Sequence, residues 1–162
     1  VLELLSQTEA TSLDRLIDWL RIPSISTDPA YRGQCRRAAE WAAERLAECG
    51  LSAEVIPTAN PAKGTEGHPI VLAHSQGAPD YKGPHVLFYG HYDVQPVDPL
   101  DLWESPPFEP VVRDARPGES GGKRVVARGA VDDKGQVLTF LEALRAWKDV
   151  AGQPAGGRRM AQ

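Results

Sequence analysis

The run Val86-Leu87-Phe88-Tyr89-Gly90-His91-Tyr92-Asp93-Val94 constrains the fold of this chain more than any other stretch. It opens on apolar residues rich in Val and aromatics, the pattern of a short strand buried on both faces inside a helix-covered sheet. It closes on an imidazole and a carboxylate. Side chains alternate along a strand, so His91 and Asp93 project to one side while Tyr92 points to the other. In open α/β sheets, ligands collect just beyond the carboxyl ends of the strands. His91 and Asp93 therefore stand where site residues stand.

A second stretch, Arg128-Gly129-Ala130-Val131-Asp132-Asp133-Lys134-Gly135, answers the first. It follows the β-type run Arg124–Ala127 and precedes a strongly periodic helix, which puts Asp132 at a strand-to-helix turn. Adjacent carboxylates there suit a hard or borderline cation, and His91 would add the nitrogen typical of zinc sites. Asp132 and Asp133 equally suit the cap of a helix N-terminus. On the residues alone, capping and metal binding both stay open.

Three ordered motifs carry a resemblance. Gly90-His91-Tyr92-Asp93-Val94-Gln95-Pro96, Trp103-Glu104-Ser105-Pro106-Pro107-Phe108 and Arg128 to Gly135 together resemble the co-catalytic zinc peptidase family. That family includes aminoacylases, carboxypeptidase G, succinyl-diaminopimelate desuccinylase and carnosinase-like dipeptidases, and the wording is nearest the dipeptidase branch. The resemblance runs from about Leu13 to Val150. It implies that His91 binds one zinc and Asp132 bridges two, with manganese or cobalt as alternative metals. Asp93 would be the catalytic-site residue that holds the His91 ring, fixing its tautomer. Asp133 and Trp103 would be site neighbours, and the Asp132–Asp133 peptide would be cis. The implied substrate is a dipeptide or an N-acyl amino acid, and the intact form would be compatible with a homodimer.

Composition narrows the classes. A net charge of −4 disfavours a general nucleic-acid or membrane-surface role. No apolar run reaches transmembrane length, and Glu3, Glu9, Asp14 and Arg15 exclude a signal peptide from the first twenty residues. Cys35 and Cys49 fall on one expected helix, about 21 Å apart at about 1.5 Å per residue, too far for a disulfide. Buried free thiols on its apolar face suit a reducing, cytoplasmic setting.

In chain order, Leu13, Leu16, Ile17 and Leu20 give an amphipathic helix over about 12–21, with Thr11 and Asp14 as a capping box. Pro23 to Pro29 reads as a loop. A second helix covers about Arg32 to Cys49, burying Cys35, Ala38, Ala39, Ala42 and Leu46, and Gly50 stops it. Trp19 and Trp41 read as packing residues. Two β-type runs follow, Ala53–Thr58 and Pro69–His74, joined by an exposed loop. His68 and His85 read as solvated, and His74 as a strand end outside any motif. From Gln95 to Pro117 the chain is loop-rich, with Trp103 and Phe108 as a small apolar cluster anchoring it, and the resemblance implies that this loop lies near the metal site. Gly118 to Arg124 fails the phosphate-loop spacing and reads as a hairpin turn. The last helix, 133–148, packs through Val137, Phe140, Leu141, Leu144 and Trp147.

The expected architecture is α/β: helices packed on a mostly parallel sheet with Val86–Gly90 central, an incomplete zinc-peptidase catalytic domain without the family's lid domain. Residues 1–150 would form its N-terminal part and 151–162 a disordered or aberrant tail. The resemblance places paired Glu residues, a further acid and a final His downstream of the Asp-Asp turn. Here no His follows His91, and the only acids beyond Asp133 are Glu142 and Asp149, both on the last helix. Zinc needs about four ligands, so the expectation is a truncated dipeptidase-type hydrolase inactive alone. The alternatives are a non-catalytic interaction module using an exposed sheet edge, and a purely structural fragment.

Overall fold

The computed structural model of the protein describes residues 1–60, 62, 64–75, 82–118, 120, 122–152 and 154. Its elements are α1 (Leu2–Gln7), α2 (Glu9–Leu20), α3 (Arg32–Glu48), β1 (Ser52–Ile56), β2 (Ala59–Asn60), β3 (Thr65–Glu66), β4 (Ile70–His74), β5 (Val111–Asp114), β6 (Lys123–Val126) and α4 (Lys134–Ala151). Short 3₁₀ turns lie at Pro29–Tyr31 and Leu100–Leu102.

The helices follow the apolar spacing. α2 begins earlier than the Thr11–Asp14 pattern implies, because α1 leads into it through Thr8, whose hydroxyl donates to Leu4 O at 2.9 Å. Thr11 is thus interior to the helix and caps nothing. α3 buries Cys35, Ala38, Ala39 and Ala42, and Cys49 closes its end as a buried free thiol like Cys35. That small-residue face admits Trp19 of α2, which is fully buried. Its indole N–H donates to Ala38 O at 3.1 Å and its ring stacks on Trp41 at 4.9 Å. Ile22, Val71, Tyr92 and Val137 complete this core.

Helices do pack on strands, α3 lying against β1 and β4. The strand pairing differs from expectation. β1 and β4 pair antiparallel, from Ser52 opposite His74 to Ile56 opposite Ile70. β5 and β6 form a second antiparallel pair, from Val111 opposite Val126 to Asp114 opposite Lys123. The hairpin reading of 118–124 fits that pair, although Glu119 and Gly121 lie outside the described residues. The link after β1 is more ordered than a loop, since β2 and β3 form a two-residue ladder. Among the described residues, parallel pairing is confined to the bridge between Ile25 and Val94.

The Val86–Gly90 run is therefore not a central strand. It enters no ladder among the described residues, and Val86, Leu87 and Tyr89 are 86%, 93% and 85% exposed. A strand is a cooperative object whose backbone groups need neighbours on both sides, and among the described residues no strand pairs with this run. One face of the run is covered: Phe88 stacks on Phe140 of α4 with ring centroids 3.9 Å apart. Of the expected aberrant tail, Gln153 and 155–162 lie outside the described residues, whereas Ala151 ends α4 and Gly152 caps it in the left-handed conformation.

Candidate metal centre

Two turns build the site. The first follows the 86–90 run, and the alternation expected there holds from residue 91 onward. Tyr92 turns into the core and donates its hydroxyl to Pro69 O. His91 and Asp93 face the other way and meet, with His91 Nδ1 3.0 Å from Asp93 Oδ1 and 3.1 Å from Asp93 O. The second turn leaves β6 through Gly129, whose φ of +86° suits glycine. It ends at the N-terminus of α4.

Asp133 occupies the N-cap position of α4, but its side chain makes no capping hydrogen bond. Asp133 Oδ2 instead accepts the His91 backbone N–H at 3.1 Å. Asp132 reaches the ring itself, its Oδ1 lying 2.9 Å from His91 Nε2. The Asp132–Asp133 peptide is cis. His91, Asp93, Asp132 and Asp133 thus form one cluster, with Asp132 its most exposed side chain at 66%. Gly90 lets the turns touch: a Cβ there would collide with Val137 Cγ2 and stand 3.1 Å from Asp133 Oδ2.

The surroundings of the ring shift its balance toward the charged form. Partial burial works against the imidazolium. The hydrogen bond to Asp93 O, the Asp93 charge, and the bond to and charge of Asp132 outweigh it and hold the His91 pKa above its ordinary value. An imidazole nitrogen and a carboxylate oxygen this close, both reached by solvent, are a donor set suited to a borderline cation such as zinc. They are two donors only. Among the described residues no group of three or more His, Cys, Asp or Glu is arranged to hold a metal ion.

Trp103, the other expected neighbour, is tied to the second turn. Its indole N–H donates to Val97 O at 2.9 Å, and the Arg128 guanidinium lies 5.1 Å from its ring centre. Arg128 also donates from Nη2 to Pro96 O and from its backbone N–H to Pro107 O. The proline-rich loop is thereby pinned to the turn that carries Asp132. Trp103 lines an open cleft with Val131 and Gln136, and it touches none of the four clustered side chains through a hydrogen bond.

Several residues behind the site escaped the sequence reading. Lys134 is fully buried and donates to Trp19 O at 3.0 Å and Ile22 O at 2.8 Å, and burial pushes its pKa down to about 7. Its helical position suggested nothing, since an exposed lysine in a first helical turn would look the same. Ser24 and Ser26 sit in what reads as a plain loop. Ser24 Oγ donates to Tyr92 O at 2.6 Å, and Ser26 Oγ donates to Asp93 Oδ2 at 2.5 Å. The alternation Ser24-Ile25-Ser26, with Ile25 buried, is the signal that could have exposed them. His68 is half-buried rather than solvated, its Nε2 2.8 Å from Ser26 O. A ring nitrogen that finds a backbone carbonyl need not stay in water.

Comparison with known proteins bears on this cluster. The family model described as "Peptidase family M20/M25/M40" matches residues 87–160, a span holding both turns. The resemblance is to the M20/M25/M40 peptidases. The Cys-Gly metallodipeptidase DUG1 of Saccharomyces cerevisiae is 30% identical over 142 residues, covering 83% of this chain and 27% of that protein. The succinyl-diaminopimelate desuccinylase of Nitrosospira multiformis is 39% identical over 66 residues, 41% of this chain and 15% of that protein. The solved structure of the yeast di-peptidase Dug1p superposes with a TM-score of 0.73 at 26% identity, and that of human carnosine dipeptidase 1 with 0.76 at 28%. Each superposition covers 92% of this chain and 30% of the other. The α/β architecture is therefore that of M20 dipeptidase catalytic domains, and the chain spans less than a third of the length of these relatives.

Proposed function

We propose that this chain carries half of the metal centre of a dipeptidase-type hydrolase, with His91 and Asp132 as the donors. One observation carries the reading: His91 Nε2 and Asp132 Oδ1 stand 2.9 Å apart at the meeting point of two turns 41 residues apart in sequence. Asp132 would bridge two ions, with zinc the first choice and manganese or cobalt the alternatives. A bound ion of this kind supplies Lewis acidity and a water of lowered pKa. The chain's own work is orientation. Asp93 holds the ring by Nδ1, so that Nε2 faces Asp132, and Asp133 fixes the His91 backbone. Trp103 forms a wall beside the turn. The similarity to metallodipeptidases supports a dipeptide or N-acyl amino acid as substrate of the whole enzyme. A general base is not among the clustered residues and would have to come from elsewhere.

The catalytic unit of this chain is assigned to residues 1–150, with 151–162 outside it. Two buried free thiols support a cytoplasmic setting. The net charge of −4 argues against nucleic acid, and among the described residues no helix is long and apolar enough to cross a membrane. The exposed Val86, Leu87 and Tyr89 favour a second reading, in which the 86–90 run is an interaction edge. A homodimer is one form that edge would allow.

The test is cobalt titration of the full 162-residue chain, followed by visible absorption and calorimetry. Binding that disappears in His91→Ala and in Asp132→Ala is expected. Equal binding by the wild-type chain and both variants would sink the metal reading.

A further inference from the structure

We propose that Ser26 is a positioning residue for this site, whose hydroxyl aims the Asp93 carboxylate at Nδ1 of the His91 ring. The inference rests on the reading of His91 and Asp132 as metal donors, and it identifies the group that orients the first of them. A carboxylate on a short side chain can rotate its plane freely. Ser26 Oγ takes that freedom away by donating to Asp93 Oδ2 at 2.5 Å, which leaves Oδ1 3.0 Å from His91 Nδ1. Both oxygens near Nδ1, Asp93 Oδ1 and Asp93 O, are acceptors, so Nδ1 must carry its proton. Nε2 is then the nitrogen offered outward.

Ser26 itself is held from several sides, none of which depends on its hydroxyl. Val94 N–H donates to Ser24 O at 2.9 Å, Ser24 Oγ bonds Tyr92 O, and Ile25 bridges Val94 in parallel register. The His68 ring meets Ser26 O at 2.8 Å. Upstream, Lys134, which directly follows Asp133, anchors Ile22 O. The segment 22–26 thus touches both turns of the site, and the Ser26 hydroxyl is the one side-chain group it extends to Asp93. Loop closure is already secured by the backbone bonds and by Ser24. The hydroxyl is left with the carboxylate as its task. Outer partners of a metal-binding histidine act in this way, by setting tautomer and ring orientation.

Imidazole nitrogen–proton correlation spectra of the metal-free chain test this directly. The wild-type chain is expected to show a hydrogen-bonded Nδ1–H resonance for His91. Ser26→Ala should shift it, because Asp93 O still accepts from Nδ1 while the carboxylate is no longer aimed, with the Val94 amide and the His68 ring staying in place, and Ser26→Thr should restore the wild-type position. In the Asp93→Ala chain, adding Ser26→Ala should change the His91 ring no further. An unshifted resonance in Ser26→Ala, or a shifted one in Ser26→Thr, overturns the proposal. So does a general loss of folded signals in Ser26→Ala, which would make the hydroxyl a requirement of the loop rather than the aim of one carboxylate. The metal reading fails separately: cobalt would then leave the His91 ring unperturbed, whatever Ser26 does.

Discussion

Gly90 sets the distance between the two turns of the site, and its cost can be measured. An added Cβ would meet Val137 and press on the Asp133 carboxylate that holds His91 N–H. Gly90→Ala should lose about 1–3 kcal/mol, as expected for overpacking in a close-packed region. Chemical denaturation gives the number, and a loss under about 0.5 kcal/mol, the usual range of surface substitutions, would mean that the turns part easily. The roles of His91 and Asp93 separate in metal affinity. His91→Ala should abolish binding, whereas Asp93→Ala should weaken it by about 10- to 100-fold, the usual effect of an outer partner. Complete loss in both variants would make Asp93 a direct ligand. The sequence shows His91, Asp93 and Asp132 as residues of chemical interest, because strand alternation and helix-start position are local properties. It does not show Ser26 or Lys134, whose roles come from chain segments far apart in sequence.

At the scale of elements, α2 and α4 are locked by a charged pair that the apolar periodicity hides. Glu142 is 7% exposed. It accepts Arg15 Nε at 2.7 Å and Nη2 at 2.5 Å, along with the Ser12 hydroxyl at 2.9 Å. Burial alone would raise the Glu142 pKa. The hydrogen bonds from Arg15 and Ser12 and the charges of Arg15 and Arg145 outweigh it and hold the pKa below 4.5. A carboxylate with a depressed folded pKa contributes stability that is complete above its unfolded pKa and fades as pH falls through the folded one. Melting temperature should therefore drop more steeply below about pH 4 in the wild-type chain than in Glu142→Gln. At neutral pH the same substitution should cost about 2–3 kcal/mol, because Arg15 loses its charged partner in a half-buried place. Identical acid limbs in the two proteins would rule out this assignment. The helices were readable because 3.6-residue spacing is written along one segment. Strand pairing was not, since antiparallel and parallel partners are chosen by distant residues. The apolar character of Val86–Gly90 is real, but a buried strand needs a sheet around it.

For the whole molecule, the decisive expectation is that this 162-residue chain hydrolyses no dipeptide by itself. On the proposed reading, His91 and Asp132 would supply two donors where zinc takes about four. Among the described residues no Glu lies beside them, and the two acids beyond Asp133 are accounted for without catalysis: Glu142 is locked to Arg15, and Asp149 lies on the last turns of α4. Loss of a general base alone typically costs about two to four orders of magnitude. The exposed 86–90 run adds a second consequence, because a stretch carrying Val, Leu and Tyr at the surface, in no ladder among the described residues, invites pairing with another chain. Concentration-dependent self-association should accompany the missing activity, and light scattering would register it. The assay is a panel of dipeptides with added zinc, manganese or cobalt, run on the wild-type chain and on His91→Ala. Metal-dependent cleavage that vanishes in His91→Ala would overturn the expectation. It would mean that a second copy completes the ligand shell, and the self-association along the 86–90 edge would then be part of the active form.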